Sequence, residues 1–158
     1  MTNLKLQIPN WERGQSLFEL VVAIAISALV IVAIVSLTTN SIQNSTYSKN
    51  KALAATYAQE ATEWLRGQRD SDINLFVIHT TTTSWCLQQL AFTQPAADPT
   101  TLCLGKISGT VFRRWVNFSV NVQGGKNVIE ADVVVYWEDS QGSHEVKSAT
   151  NLADWRER

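Results

Sequence analysis

The chain has 158 residues, with 13 Lys and Arg against 14 Asp and Glu, so its formal net charge is -1. Proteins that bind nucleic-acid backbones carry a basic surplus, which this chain lacks, and we expect no nucleic-acid partner. The length suits one small domain and an anchor. The two cysteines and two histidines show no metal-ligand spacing, so neither a metal nor a cofactor is expected.

A long apolar segment lies near the amino terminus. Glu19 is the only charged residue among the 21 residues from Leu17 to Leu37, a length sufficient to cross roughly 30 Å of hydrocarbon. A cleaved signal peptide is disfavoured, because Thr-Thr-Asn-Ser follows Leu37 in place of a small-residue cleavage site. We therefore expect a single membrane span within residues 15–38.

The orientation of this span is read from its flanks. Lys5 and Arg13 precede the segment and favour a cytoplasmic amino terminus, whereas Lys49 and Lys51 follow it and weaken that preference. A disulfide between the two cysteines requires an oxidising compartment. The carboxyl-terminal part is therefore expected outside the cytoplasmic membrane.

Glu19 is the unusual residue of the apolar segment. A carboxylate at the bilayer centre costs about 3 kcal/mol on insertion scales and usually has a partner or a task. If the chain were cut after Gly14, Gln15 would carry a free α-amino group four residues before Glu19. That amine could pair with the Glu19 carboxylate of a neighbouring subunit. Alternatively, Glu19 lies in the headgroup zone beside Arg13.

The amino-terminal part of the sequence combines Gly14, Glu19 five residues later and the long apolar segment. This combination resembles the amino-terminal signature of type IV pilins and type II secretion pseudopilins. The resemblance implies that a prepilin peptidase removes the leader, residues 1–14, and methylates the new terminus at Gln15. It also implies that Glu19 acts in assembly. The implied partners are other pilin or pseudopilin subunits, the prepilin peptidase and the lipid of the cytoplasmic membrane.

A second stretch, "ATYAQEATEWLRGQRD" from Ala55 to Asp70, resembles minor pilins of the PilV-like type. Together the two matches cover Gly14 to Asp70.

The first 70 residues predict one continuous helix after the leader, since no Gly or Pro lies between Gln15 and Arg66. Residues 15–38 form its membrane half and residues 39–69 an amphipathic half outside, with Gly67 as the expected stop. An apolar face of this outer half is expected to carry the globular domain. It comprises Leu53, Tyr57, Ala61 and Trp64, with Ala54, Ala58 and Leu65 beside them. The opposite face, with Glu60 and Glu63, is either solvated or an intersubunit contact.

Residues 70–158 are expected to form the globular domain. Its first part, Asp70 to Ser108, is rich in Thr, Pro and Asp and predicts a connecting loop. Cys86 and Cys103 enclose the part of this loop that contains proline, so a disulfide would stabilise a segment with few apolar residues. Two free thiols are the alternative.

After Ser108 the hydrophobic period becomes two. Phe112 to Val122 and Ile129 to Trp137 predict two strands, and a third begins near His144. The predicted class is α+β, with a long amino-terminal helix packed on a small antiparallel β-meander, as the pilin resemblance also implies.

We find no convergent set of titratable groups and expect no enzymatic activity. His79 and His144 are expected at the surface, and calcium binding near Asp98 lacks a loop motif. Trp115, on the polar phase of its strand, is a candidate for an exposed contact with sugar.

The sequence therefore predicts a structural subunit of a type IV pilus-like filament, a minor pilin or a pseudopilin. It would be inserted in the cytoplasmic membrane and then polymerised through its apolar helix. The alternative is an unprocessed, membrane-anchored binding module or adhesin outside the cytoplasm.

Overall fold

The computed structural model describes residues 17–123 and 126–153. The helices are α1 (Leu17–Ser71), α2 (Ile73–Thr80) and α3 (Pro99–Leu102), and the strands are β1 (Ser84–Cys86), β2 (Gln94–Pro95), β3 (Arg113–Gln123), β4 (Lys126–Asp139) and β5 (Gly142–Ala153). The class is α+β, as predicted. The chain divides into two units, Met1–Ile42 and Gln43–Arg158.

Helix α1 has 55 residues and continues through Gly67 to Ser71, so the predicted stop at Gly67 is wrong. One glycine costs a helix only about 1 kcal/mol, and buried Leu65 holds the helix on the globular unit just before it. Helix α2 starts directly after its N-cap residue Asp72, whose carboxylate accepts hydrogen bonds from the backbone N–H groups of Asn74 and Leu75. Helix α1 therefore ends two residues after residue 69, the predicted end of its outer half.

The buried face of α1 differs by one position from the predicted one. Its centre consists of Ala54, Ala58, Ala61 and Leu65, whereas Leu53 is exposed and both Tyr57 and Trp64 are half-buried. Alanine has the smallest side chain that still favours a helix, so this row lets the helix backbone approach the sheet closely.

The sheet has five antiparallel strands in the order β2-β1-β3-β4-β5. Strands β3, β4 and β5 form the predicted meander, with Trp115 opposite Val134 and Val135 opposite Val146 in its register. Strands β1 and β2 fall inside the segment predicted as a loop. Because they contain three and two residues, they are too short for alternation to identify them.

The two faces of the sheet are both partly buried. On the face toward α1, the core includes Phe76, Leu87, Val116, Val133 and Trp137. On the opposite face, a second cluster contains Cys86, Ala96, Cys103, Trp115 and Val134, with half-buried Tyr136 packed against it. The disulfide-bonded segment therefore covers part of the sheet face opposite α1.

Candidate functional site

The first candidate site is the apolar part of α1. Every described residue from Leu17 to Ile42 is exposed, including the large side chains of leucine, isoleucine, valine and phenylalanine. By length and composition, α1 is able to span a membrane. Exposed apolar surface on this scale calls for a nonaqueous environment.

Glu19 lies in the first turn described for α1 and is exposed. A carboxylate near a helix amino terminus is favoured by the helix dipole. Within the described ranges, Glu19 forms no ion pair. Gly14 and Gln15, the predicted processing residues, lie outside the described residues.

The second candidate feature attaches α1 to the sheet. Arg114 of β3 is 2% exposed and donates from Nε to the Leu87 carbonyl (3.0 Å) and from Nη1 to the Tyr57 carbonyl (2.9 Å). Its Nη1 also lies 2.8 Å from Oε2 of Glu60, whose side chain is 52% exposed. One buried cation thus joins α1, β3 and the segment after β1.

Sequence reasoning missed Arg114, although a signal was present. Phe112, Arg114, Val116 and Phe118 share one strand phase, and the other three members are buried core residues. A charge on the apolar phase of a strand is rarely buried unless it is paired. It therefore points to a partner across the core, and Glu60 on the neighbouring helix supplies one.

Cys86 and Cys103 form the predicted disulfide, which links β1 to the residue that follows α3. Asp98 caps α3, and the hydrogen bonds from the Thr100 hydroxyl and backbone N–H hold the pKa of Asp98 below its ordinary value. The segment that the disulfide closes, from Cys86 to Cys103, packs on Trp115, which is only 5% exposed. The prediction that Trp115 forms an exposed contact is therefore wrong, because the polar phase of β3 is buried at this position.

Both histidines were predicted at the surface and are instead half-buried among aromatic rings. The His79 ring stacks on Phe92 with centroids 4.3 Å apart, and it lies in α2, not in a loop. The His144 ring lies 5.0 Å from the Tyr47 ring of α1 and 5.2 Å from the Trp137 ring.

His144 also fixes a carboxylate. Its Nε2 lies 2.9 Å from Oδ1 of Asp139, and the backbone N–H of Gln141 donates to the same oxygen. The hydrogen bond with His144, followed by that from Gln141, lowers the pKa of Asp139 below 3.8. The pair closes the β4–β5 hairpin against Tyr47.

Two adjoining clefts lie on the sheet face opposite α1, with volumes of about 170 and 280 Å³. They share Arg113, Tyr136 and Glu138. The Tyr136 hydroxyl donates to Glu138, and this hydrogen bond is the main cause that raises the pKa of Tyr136. In the part of the chain that the structure describes, no three His, Cys, Asp or Glu side chains converge as metal ligands.

Comparisons with family models, with curated proteins and with solved structures found no match to this chain.

Proposed function

We propose that this chain is a structural subunit of a type IV pilus-like filament, a minor pilin or a pseudopilin. A prepilin peptidase cleaves it between Gly14 and Gln15, and it assembles through its amino-terminal helix. Before assembly it lies in the cytoplasmic membrane with the globular unit outside.

The observation that carries the proposal is the composition of α1. One helix contains an exposed apolar part with a single carboxylate, Glu19, and a later part that packs on an antiparallel sheet. A membrane anchor alone needs the apolar residues but not the carboxylate. A packing role between subunits accounts for both.

The proposed mechanism is packing without turnover. Transfer of the apolar helix from lipid into a filament exchanges one apolar environment for another, so it supplies little positional specificity. A pair between Glu19 and the α-amino group of Gln15 on a neighbouring subunit would set the register of the helices. In a low-dielectric surrounding, such a pair is favourable only with good geometry.

The first test is the intact mass and amino-terminal peptide map of the protein from membranes that contain a prepilin peptidase. We expect a terminus at Gln15, with or without a methyl group, and an unprocessed terminus in a Gly14→Leu variant. A wild-type terminus at Met1 or Thr2 despite active peptidase would contradict processing. That result would favour the alternative, an unprocessed membrane-anchored binding module or adhesin.

The second test concerns Glu19. We expect Glu19→Ala to leave membrane insertion intact but to weaken incorporation into purified filaments. Glu145→Ala is the control, since Glu145 is an exposed carboxylate of β5 and lies outside the face of α1 that is a candidate intersubunit contact. Normal incorporation of the Glu19→Ala protein would refute the assembly role of this carboxylate.

A further inference from the structure

Lys106 and Arg113 lie directly opposite each other in an isolated antiparallel bridge at the start of β3. Like charges in this position repel, with Cβ atoms about 5 Å apart. Neither cation forms an ion pair with any described residue. The Arg113 guanidinium instead lies 5.3 Å from the centroid of the Tyr136 ring.

Both cations line the smaller of the two clefts, whose volume is about 170 Å³. The residues around it are Lys106, Val111, Arg113, Tyr136, Trp137 and Glu138. Among the described residues that line this cleft, Glu138 is the one carboxylate, and it accepts a hydrogen bond from the Tyr136 hydroxyl. The charged groups of the lining therefore sum to one positive charge.

We propose that the cleft between Lys106 and Arg113 binds a phosphate group, carried by the headgroup of an anionic phospholipid or by free phosphate. A phosphate bound there would relieve the repulsion between the two cations. The planar guanidinium matches phosphate oxygens through paired hydrogen bonds, and the lysine adds a point charge.

The proposed membrane location of this chain makes an anionic phospholipid an available source of the phosphate. No acidic residue lies between Glu19 and Glu60, so α1 carries no carboxylate along this stretch to repel a headgroup.

The test uses the full chain in nonionic detergent at constant ionic strength. Its thermal unfolding midpoint is followed during titration with inorganic phosphate in one arm and with short-chain phosphatidylglycerol in the other. A ligand that binds the folded state raises the midpoint. We expect saturable stabilisation of the wild type, and an apparent dissociation constant about tenfold or more higher in Lys106→Gln and Arg113→Gln.

Two further variants separate a binding site from a general charge effect. Lys147→Gln removes an exposed cation that is paired with Glu145, and it should respond like the wild type. Glu138→Gln keeps an acceptor for Tyr136 but removes the carboxylate of the cleft, so it should bind several-fold more tightly.

The two ligand titrations identify the source of the phosphate group. Stabilisation by phosphatidylglycerol alone would assign the site to a lipid headgroup, and stabilisation by both ligands would show that phosphate itself suffices. Equal responses from wild type, Lys106→Gln and Arg113→Gln would overturn the proposal, as would the absence of stabilisation in both arms. None of these outcomes depends on cleavage after Gly14 or on filament assembly, because both cations belong to the globular unit.

Discussion

Arg114 is the buried charge that joins the outer part of α1 to the sheet, and its partners are of two kinds. Two are backbone carbonyls, those of Leu87 and Tyr57, and the third is the half-exposed Glu60. A half-exposed ion pair contributes little, whereas hydrogen bonds from a buried guanidinium contribute more. The carbonyls are therefore the important partners.

Substitution of Arg114 and of Glu60 tests whether the carbonyls contribute more to stability than the ion pair does. We expect Arg114→Met to lower the free energy of unfolding by about 3 kcal/mol, because two bonds from a charged donor are lost. Glu60→Gln keeps an acceptor at an exposed position and should cost less than about 1 kcal/mol. Urea unfolding of both variants measures the difference. Equal costs would show that the ion pair, not the carbonyls, stabilises this contact.

Asp139 makes the free energy of unfolding depend on pH in the acid range. His144 and Gln141 bond its carboxylate only in the folded state, so its folded pKa lies below the ordinary 3.8. The folded state therefore binds fewer protons, and the contribution is present above pH 3.8 and lost as pH falls through the folded pKa. We expect the urea midpoint of the wild type to fall more steeply below pH 3.8 than that of Asp139→Asn.

A second variant isolates the cause of this shift. His144→Gln retains the Asp139 carboxylate but removes its imidazole partner, which is the largest cause of the lower pKa. The fall of its urea midpoint below pH 3.8 should be less steep than that of the wild type and steeper than that of Asp139→Asn. Identical profiles for all three proteins would contradict the role of the Asp139–His144 pair.

At the scale of elements, the sequence predicts those that leave a long or chemically distinct signal. These are the long helix α1, the meander β3–β5 and the disulfide. Strands β1 and β2 were not, since they pair only because β3 offers them an edge. Glu19 lies near the start of α1, as the sequence predicts, but pairing between subunits lies beyond a single chain.

Gly67 is the position where local propensity and packing disagree. It lies within α1, away from the helix end, and a Cβ built there meets no atom within 4 Å. We therefore expect Gly67→Ala to raise the free energy of unfolding by about 0.5–1 kcal/mol, since alanine has fewer unfolded conformations to lose. Thermal unfolding would measure this gain. A loss of stability instead would restore Gly67 as the helix terminus predicted from the sequence.

At the scale of the whole molecule, the two units differ in what stabilises them. No described residue before Gln43 is buried, whereas the later unit contains both hydrophobic clusters. The stability of the globular unit should therefore arise within it. We therefore expect the apolar part of α1 to contribute little to the fold of the globular unit.

A fragment comprising residues 43–158 tests this division. We expect it to be soluble without detergent and to unfold with a free energy within about 1 kcal/mol of the full chain, because it retains every buried side chain that the structure describes. Circular dichroism and urea unfolding of the two proteins supply the comparison. Failure of the fragment to fold would show that the apolar part supports the globular unit.

The attachment of α1 through Arg114 also has a mechanical consequence. A pull on the outer part of α1 reaches the sheet through the alanine-rich contact and the buried guanidinium. The bonds of Arg114 to the carbonyls of Leu87 and Tyr57 are buried away from water that could replace them. Under tension, Arg114 would therefore carry part of the force needed to draw α1 from the sheet, together with the hydrogen bond between Thr62 and Ser148 and the buried side chain of Leu65.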